Sequence, residues 1–75
     1  MMRTVIVFFN DEPPYTVDVG FHLNSIRLEY PNGMVSDLDI SAVPVHNPAQ
    51  HEEYYVAADR ELENAEVLEA INRLL

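Results

Sequence analysis

The sequence predicts an α+β fold, in which an antiparallel sheet of four or five strands, a meander, carries one C-terminal helix packed on one face. Three observations predict it. Between Tyr15 and Tyr30 apolar residues occupy every second position, first Tyr15, Val17, Val19, Phe21 and Leu23, then Ile26, Leu28 and Tyr30. A period of two puts one set on a sheet face and the other in water. The second observation is Arg3–Phe9, a β-branched and aromatic run without polar alternation, as expected of a strand covered on both faces. The third is a change of period after Asp59, where Val67, Leu68, Ile71, Leu74 and Leu75 fall on one helical stripe.

The elements follow in order. Arg3–Phe9 is the first strand, placed inside the sheet or at a dimer seam. Asn10-Asp11-Glu12-Pro13-Pro14 breaks it, since Asn and Asp favour turns and proline cannot donate to a ladder. Tyr15–Leu23 is the second strand. Asn24-Ser25 is either a two-residue hairpin loop or a bulge in one bent strand, and both keep Leu23 and Ile26 on one face. Pro31-Asn32-Gly33 is the strongest local signal. Proline presets the first turn residue and glycine takes the left-handed position of a three-residue hairpin loop, which pairs Tyr30 with Met34. Met34, Leu38, Ile40 and Ala42 then line the inner face of the next strand, with Asp37, Asp39 and Ser41 outward, so that strands two to four form the meander. Pro44 ends the ladder or sits on an edge. Val45–His51 has no period and reads as a loop. Glu52–Ala58, with Tyr54, Val56 and Ala58 on alternate positions, reads as a fifth strand in preference to a helical turn. Asp59 is the expected helix N-cap, with Asn64 a second candidate. Glu63, Glu66, Glu69 and Arg73 fall on the solvent side, and Glu69–Arg73 has the favourable i, i+4 orientation.

Seventy-five residues make one small domain, of the size that typically holds only about 3–5 kcal/mol of net stability. With no cysteine there is no disulfide framework and no thiolate metal site. The apolar run Val5–Phe9 is too short to span a bilayer and lacks a signal-peptide layout. The expected location is a cytoplasm, the host's if a virus encodes the chain.

Charge is the unusual feature. Thirteen acidic residues face four arginines and no lysine, for a formal net charge of −9. Such a field repels nucleic acid and anionic membrane and attracts basic surfaces. Solubility alone, a GC-rich genome or a high-salt cytoplasm would leave the same mark. Glu52–Glu69 holds seven carboxylates and one arginine. The functional reading is an acidic face that binds a basic protein partner, such as a nucleic-acid-binding complex, through Glu52, Glu53, Glu63, Glu66 and Glu69 with Asp37 and Asp39. The bland reading is a solvated helix face.

Other chemistry has weaker support. His46 and His51 with Glu52 and Glu53 are possible metal ligands, but their spacing is not that of a helical zinc motif, and His22 is placed on the outer face of strand two. Asp37 and Asp39 share a strand face, an arrangement that could hold calcium or magnesium or serve as an acid/base pair, yet the glycine-bearing loop and distal glutamate of an EF-hand are missing, and two outward acids on an exposed sheet face are ordinary. There is no nucleophile elbow and no glycine-rich phosphate loop. No catalytic residue, metal or cofactor is therefore expected, and the chain reads as a non-enzymatic binding protein.

In size, acidity, lack of cysteine and lack of catalytic residues, the chain is similar in type to the small inhibitors that phages make against bacterial defence enzymes, such as anti-CRISPR and anti-restriction proteins. The similarity covers no alignable motif, so no functional residue carries over. It implies a protein that occupies the basic nucleic-acid-binding surface of a host protein. The alternative is a structural or assembly module that homo-oligomerises through an exposed strand edge.

Overall fold

The computed structural model describes residues 1–46 and 51–75, and of 45, 46, 51 and 52 the backbone alone. The elements are β1 (Met2–Phe8), β2 (Tyr15–Gly20), β3 (Ser25–Glu29), β4 (Val35–His46), β5 (His51–Ala58) and α1 (Asn64–Leu74). They form one curled five-stranded sheet, a half-barrel, in the order β2-β1-β5-β4-β3, with the C-terminal helix on it. The α+β class is as expected, and two features of the sheet are not. The strands are not all antiparallel, because β1 runs parallel to β5, with Val5 beside Tyr55 and Phe8 beside Ala58. The meander is β3-β4-β5 rather than strands two to four, and β2 pairs only with β1.

The sheet is thus two antiparallel blocks, a hairpin and a meander, joined at one parallel seam. The turn after β1 explains the hairpin. Asn10 and Asp11 adopt left-handed backbone, φ 55° and 56°, which these two residue types tolerate best after glycine. The Glu12 amide closes the turn on the Phe9 carbonyl at 3.1 Å. The chain therefore folds straight back on β1 before β3 has been reached.

No Asn24-Ser25 hairpin forms. Phe21–Asn24 instead carries the chain between the two edge strands of the sheet. From Gly20 to Ser25 the backbone spans at most about 17 Å, whereas the edges of a flat five-stranded sheet would stand about 19 Å apart. The link is not fully extended, since the Leu23 amide turns back to the Gly20 carbonyl at 3.1 Å. Curling of the sheet is what lets the link close. Arg3 Nη2 holds the Leu23 carbonyl, and the Ile40 amide holds that of Asn24 at 2.9 Å.

Curling also gives the sheet two cores. On the concave side Val5, Val7, Phe9, Leu38 and Ala57 are buried, with Val17, Val19, Ile26, Leu28, Tyr30, Ile40 and Tyr55 packed around them. On the helix side Ile6, Phe8 and Val56 meet Val67, Ala70 and Ile71. β1 is covered on both faces, as its composition predicts, and its second cover is the curl of its own sheet rather than a dimer seam. Phe21, Leu23 and Met34, expected on the inner face, are exposed, because they lie beyond the strand ends in the crossing link and the β3–β4 turn.

That turn forms as expected. The Tyr30 amide bonds the Met34 carbonyl at 2.7 Å, the Gly33 amide bonds the Tyr30 carbonyl at 2.9 Å, and Gly33 takes φ 90°. Val45, His46 and His51, expected in a loop, are paired strand residues, with His46 opposite His51. The rest of the expected loop, 47–50, lies outside the described residues. Pro44 lies within β4, where β3 has already ended. Residues of β4 with even numbers direct their backbone toward β3, as Ile40 does toward Asn24, so the proline nitrogen faces an open edge and no ladder bond is lost.

The helix starts at Asn64, with Glu63 as its N-cap. Asp59 caps nothing, and instead accepts the Asn10 amide at 2.9 Å and the Tyr30 hydroxyl at 3.0 Å. The buried stripe is Val67, Ala70 and Ile71, with Leu74 at its margin. Leu68 and Leu75 are 46% and 59% exposed. The stripe is rotated from the expected one because small Ala70, 2% exposed, lets the helix approach the sheet along the 67, 70, 71, 74 spacing. No helix among the described residues is long and apolar enough to cross a membrane.

Candidate functional site

The helix covers only part of the convex face, and a groove remains beside it. Outward residues of β4, Asp37, Asp39 and Ser41, form one wall, and Leu62, Asn64 and Val67 form the other. Val43, Val56 and Ala58 also line it, and its volume is about 540 Å³. Alternation along β4 places the carboxylates here, because Leu38 and Ile40 between them face the concave core. A smaller hollow of about 170 Å³ lies against Phe8 and Pro14, with Glu66, Glu69 and Arg73 from the helix. Arg60 lines both.

The seven acidic residues singled out from sequence do not form one face. Asp37 and Asp39 are exposed in the groove. Glu66 and Glu69 line the smaller hollow. Glu63 sits at the helix start. Glu53 is exposed, and it alternates with Tyr54 on the helix side and in phase with Tyr55 on the concave side. It therefore belongs to the sheet face opposite the helix. Glu52 pairs with Val45 through its backbone, and its side chain lies outside the described residues, as do those of His46 and His51. His22 lies in the link after β2 rather than on a strand face. Among the described residues no group of three or more His, Asp or Glu is placed to hold a metal.

Every arginine is engaged inside the chain. Arg3 stacks 4.6 Å from the Tyr55 ring and 5.4 Å from that of Phe21. Arg27 Nε meets Asp37 Oδ1 at 2.9 Å, Arg60 meets Glu66 at 2.8 Å, and Arg73 meets Glu69 at 3.4 Å. The hydrogen bond from Arg27 pulls the Asp37 carboxyl below its ordinary range, and Asp37 in turn raises Arg27. Arg60 likewise pulls Glu66 down, helped by the Glu63 amide. Glu66 is half-buried and accepts that amide at 2.9 Å. It is therefore a structural carboxylate at the helix start, not the free outward charge that helical phase suggests. Tyr30 is raised, first by burial and then by its bond to Asp59.

Sequence reasoning gave Asp59 the role of helix N-cap and gave Arg60 none. Asp59 instead ties the residues that follow β1 and β3, Asn10 and Tyr30, to the segment before the helix, and Arg60 stands between the two hollows. The sequence signal for both was their place at the change of period.

Fold and site define a class: a small, strongly acidic α+β protein with a half-barrel sheet and an acid-walled groove beside its helix. Residues 27–74 match the model of the YnfN protein family. The match runs from β3 through the helix, well over half of the chain, and the chain belongs to that family. No curated protein matches the chain. No solved structure matches it either.

Proposed function

We propose that the chain is a non-enzymatic binding protein whose acidic convex face docks on a basic surface of a partner protein, in the manner of the phage-made inhibitors that block nucleic-acid-binding enzymes. The observation that carries this reading is the groove beside the helix, where Asp37 and Asp39 stand over an aliphatic floor of Val43, Val56 and Ala58. A partner's lysine or arginine fits such a site, since the stem covers apolar surface while the charged head meets the carboxylates. Of the four arginines, Arg60 lines the groove and Arg27 is held on Asp37 at its wall, while Arg3 and Arg73 are engaged elsewhere. Asp39 is the freest of the acids there, exposed and outside every ion pair described.

The test is capture from lysate of the native host at low salt, with wild type and Asp39→Lys compared side by side. The reading expects a basic protein retained by wild type, released by salt, and retained weakly or not at all by the variant. Equal retention by both chains would refute it.

A further inference from the structure

The sheet has two edges, and hydrogen bonding at both ends of β3 settles which of its groups are free. The Tyr30 amide bonds Met34 and the Ile40 amide bonds the Asn24 carbonyl. In an antiparallel ladder bonded residues alternate, so Asn24, Ile26, Leu28 and Tyr30 face β4. Ser25, Arg27 and Glu29 turn their amides and carbonyls to the open edge. The edge is bounded at both ends. The Leu23 carbonyl upstream is held by Arg3, and Pro31 downstream has no N–H to give.

We propose that two copies of the chain join through this edge, β3 against β3 in antiparallel orientation and centred on Leu28, so that Arg27 of each copy faces Glu29 of the other. The inference does not rest on the acidic docking surface, with which it shares only Asp37. Registers decide it. Centring on Leu28 makes Arg27 and Glu29 the bonded pairs, with an ion pair beside each. On the concave face it sets Leu28 against Leu28 and Ile26 against Tyr30, all partly buried within the chain and apolar across the joint. Centring one residue earlier opposes Arg27 to Arg27. Centring on Ile26 pairs Arg27 with Ser25 and brings Glu29 against Leu23, whose carbonyl is already taken. The β2 edge offers no comparable match, because Thr16, Asp18 and Gly20 carry one charge sign only. Asp37 supports the arrangement by holding the Arg27 guanidinium from the β4 side, Nε to Oδ1 at 2.9 Å, which leaves other donors of the fork for the second copy.

The joint is small, so self-association is expected to be weak and concentration-dependent. Sedimentation should show wild type moving from monomer to dimer below about 1 mM. Arg27→Glu places four carboxylates at the joint, and Glu29→Arg places four guanidinium groups there, so each variant alone should stay monomeric. An equimolar mixture of the two restores both ion pairs and should dimerise. Amide exchange gives a second readout that does not depend on a variant. Arg27 and Glu29 should gain protection as concentration rises, while Ile26 and Leu28 are protected throughout. A wild type that remains monomeric over that range, reversals that dimerise alone, or a mixture that fails to recover would each overturn the proposal.

Discussion

Ile71→Ala against Leu68→Ala is the sharpest test of how the helix is docked. Ile71 is 8% exposed and packs in the cluster of Ile6, Phe8, Val56, Val67 and Ala70. Its truncation removes nearly all of its buried aliphatic volume, and substitutions of this kind cost about 2–5 kcal/mol. A chain of this size holds roughly 3–5 kcal/mol in all, so most of the folded state's margin is lost. Each kcal/mol shifts Tm by about 4–8 °C in small domains, so the expected drop is at least about 8 °C. Leu68 is 46% exposed and lies outside that cluster, so Leu68→Ala should cost less than about 1 kcal/mol. Thermal melts followed by circular dichroism, with denaturant midpoints for both variants, measure the contrast. A Leu68→Ala loss equal to or larger than that of Ile71→Ala would mean that the helix presents a different face to the sheet.

Other expectations follow from the same contacts. Gly33→Ala should destabilise by about 1 kcal/mol or more, because φ at this turn is 90° and a side chain is strained there; Gly20→Ala, read by the same melts, should cost less, since the added Cβ meets only the exposed His22 ring, at 2.6 Å. Glu66 has a depressed folded-state pKa, so its contribution is present above the ordinary carboxylate range and is lost as pH falls through the depressed value. The stability gap between wild type and Glu66→Gln should therefore narrow on acidification, and denaturant midpoints measured across pH check this. The Tyr30 phenol is raised, so its contribution holds below the ordinary tyrosine value and fades as pH rises through the folded one; an ultraviolet titration should show a step above the ordinary phenol value, and Tyr30→Phe should remove that step.

Much of this fold was legible in the chain because the signals were local. Pro31-Asn32-Gly33 needs only turn chemistry, and the fifth strand needs only the alternation of Tyr54, Val56 and Ala58. The apolar run Val5–Phe9 announced a strand covered on both sides. What was not legible depends on partners distant in sequence. Pairing of β1 with β5 joins Val5 to Tyr55, and no periodicity encodes which strand sits beside which. Leu23 and Ile26 are compatible with a hairpin that does not form, because β1 is the better neighbour for Val17 and Val19. The helix phase turned on Ala70, a residue too small to register as core by hydrophobicity. The acidic residues were visible as a composition, yet their arrangement was not. Alternation on β5 separates Glu53 from the helix face, and Glu66 is drawn inward by Arg60, six positions earlier.

The central functional claim is that Asp39 and its neighbours in the groove recognise positive charge on a partner. The most direct measurement is the dissociation constant of the captured partner as a function of salt, for wild type and for Asp39→Lys. Exposed charge pairs weaken as the Debye length shortens to about 8 Å at physiological ionic strength. The account predicts that wild-type affinity falls steeply with salt, and that Asp39→Lys binds more weakly with a flatter dependence while melting at the wild-type temperature. An affinity that ignores both salt and the reversal would contradict it, and would place recognition on the exposed apolar residues of the crossing link, Phe21 and Leu23.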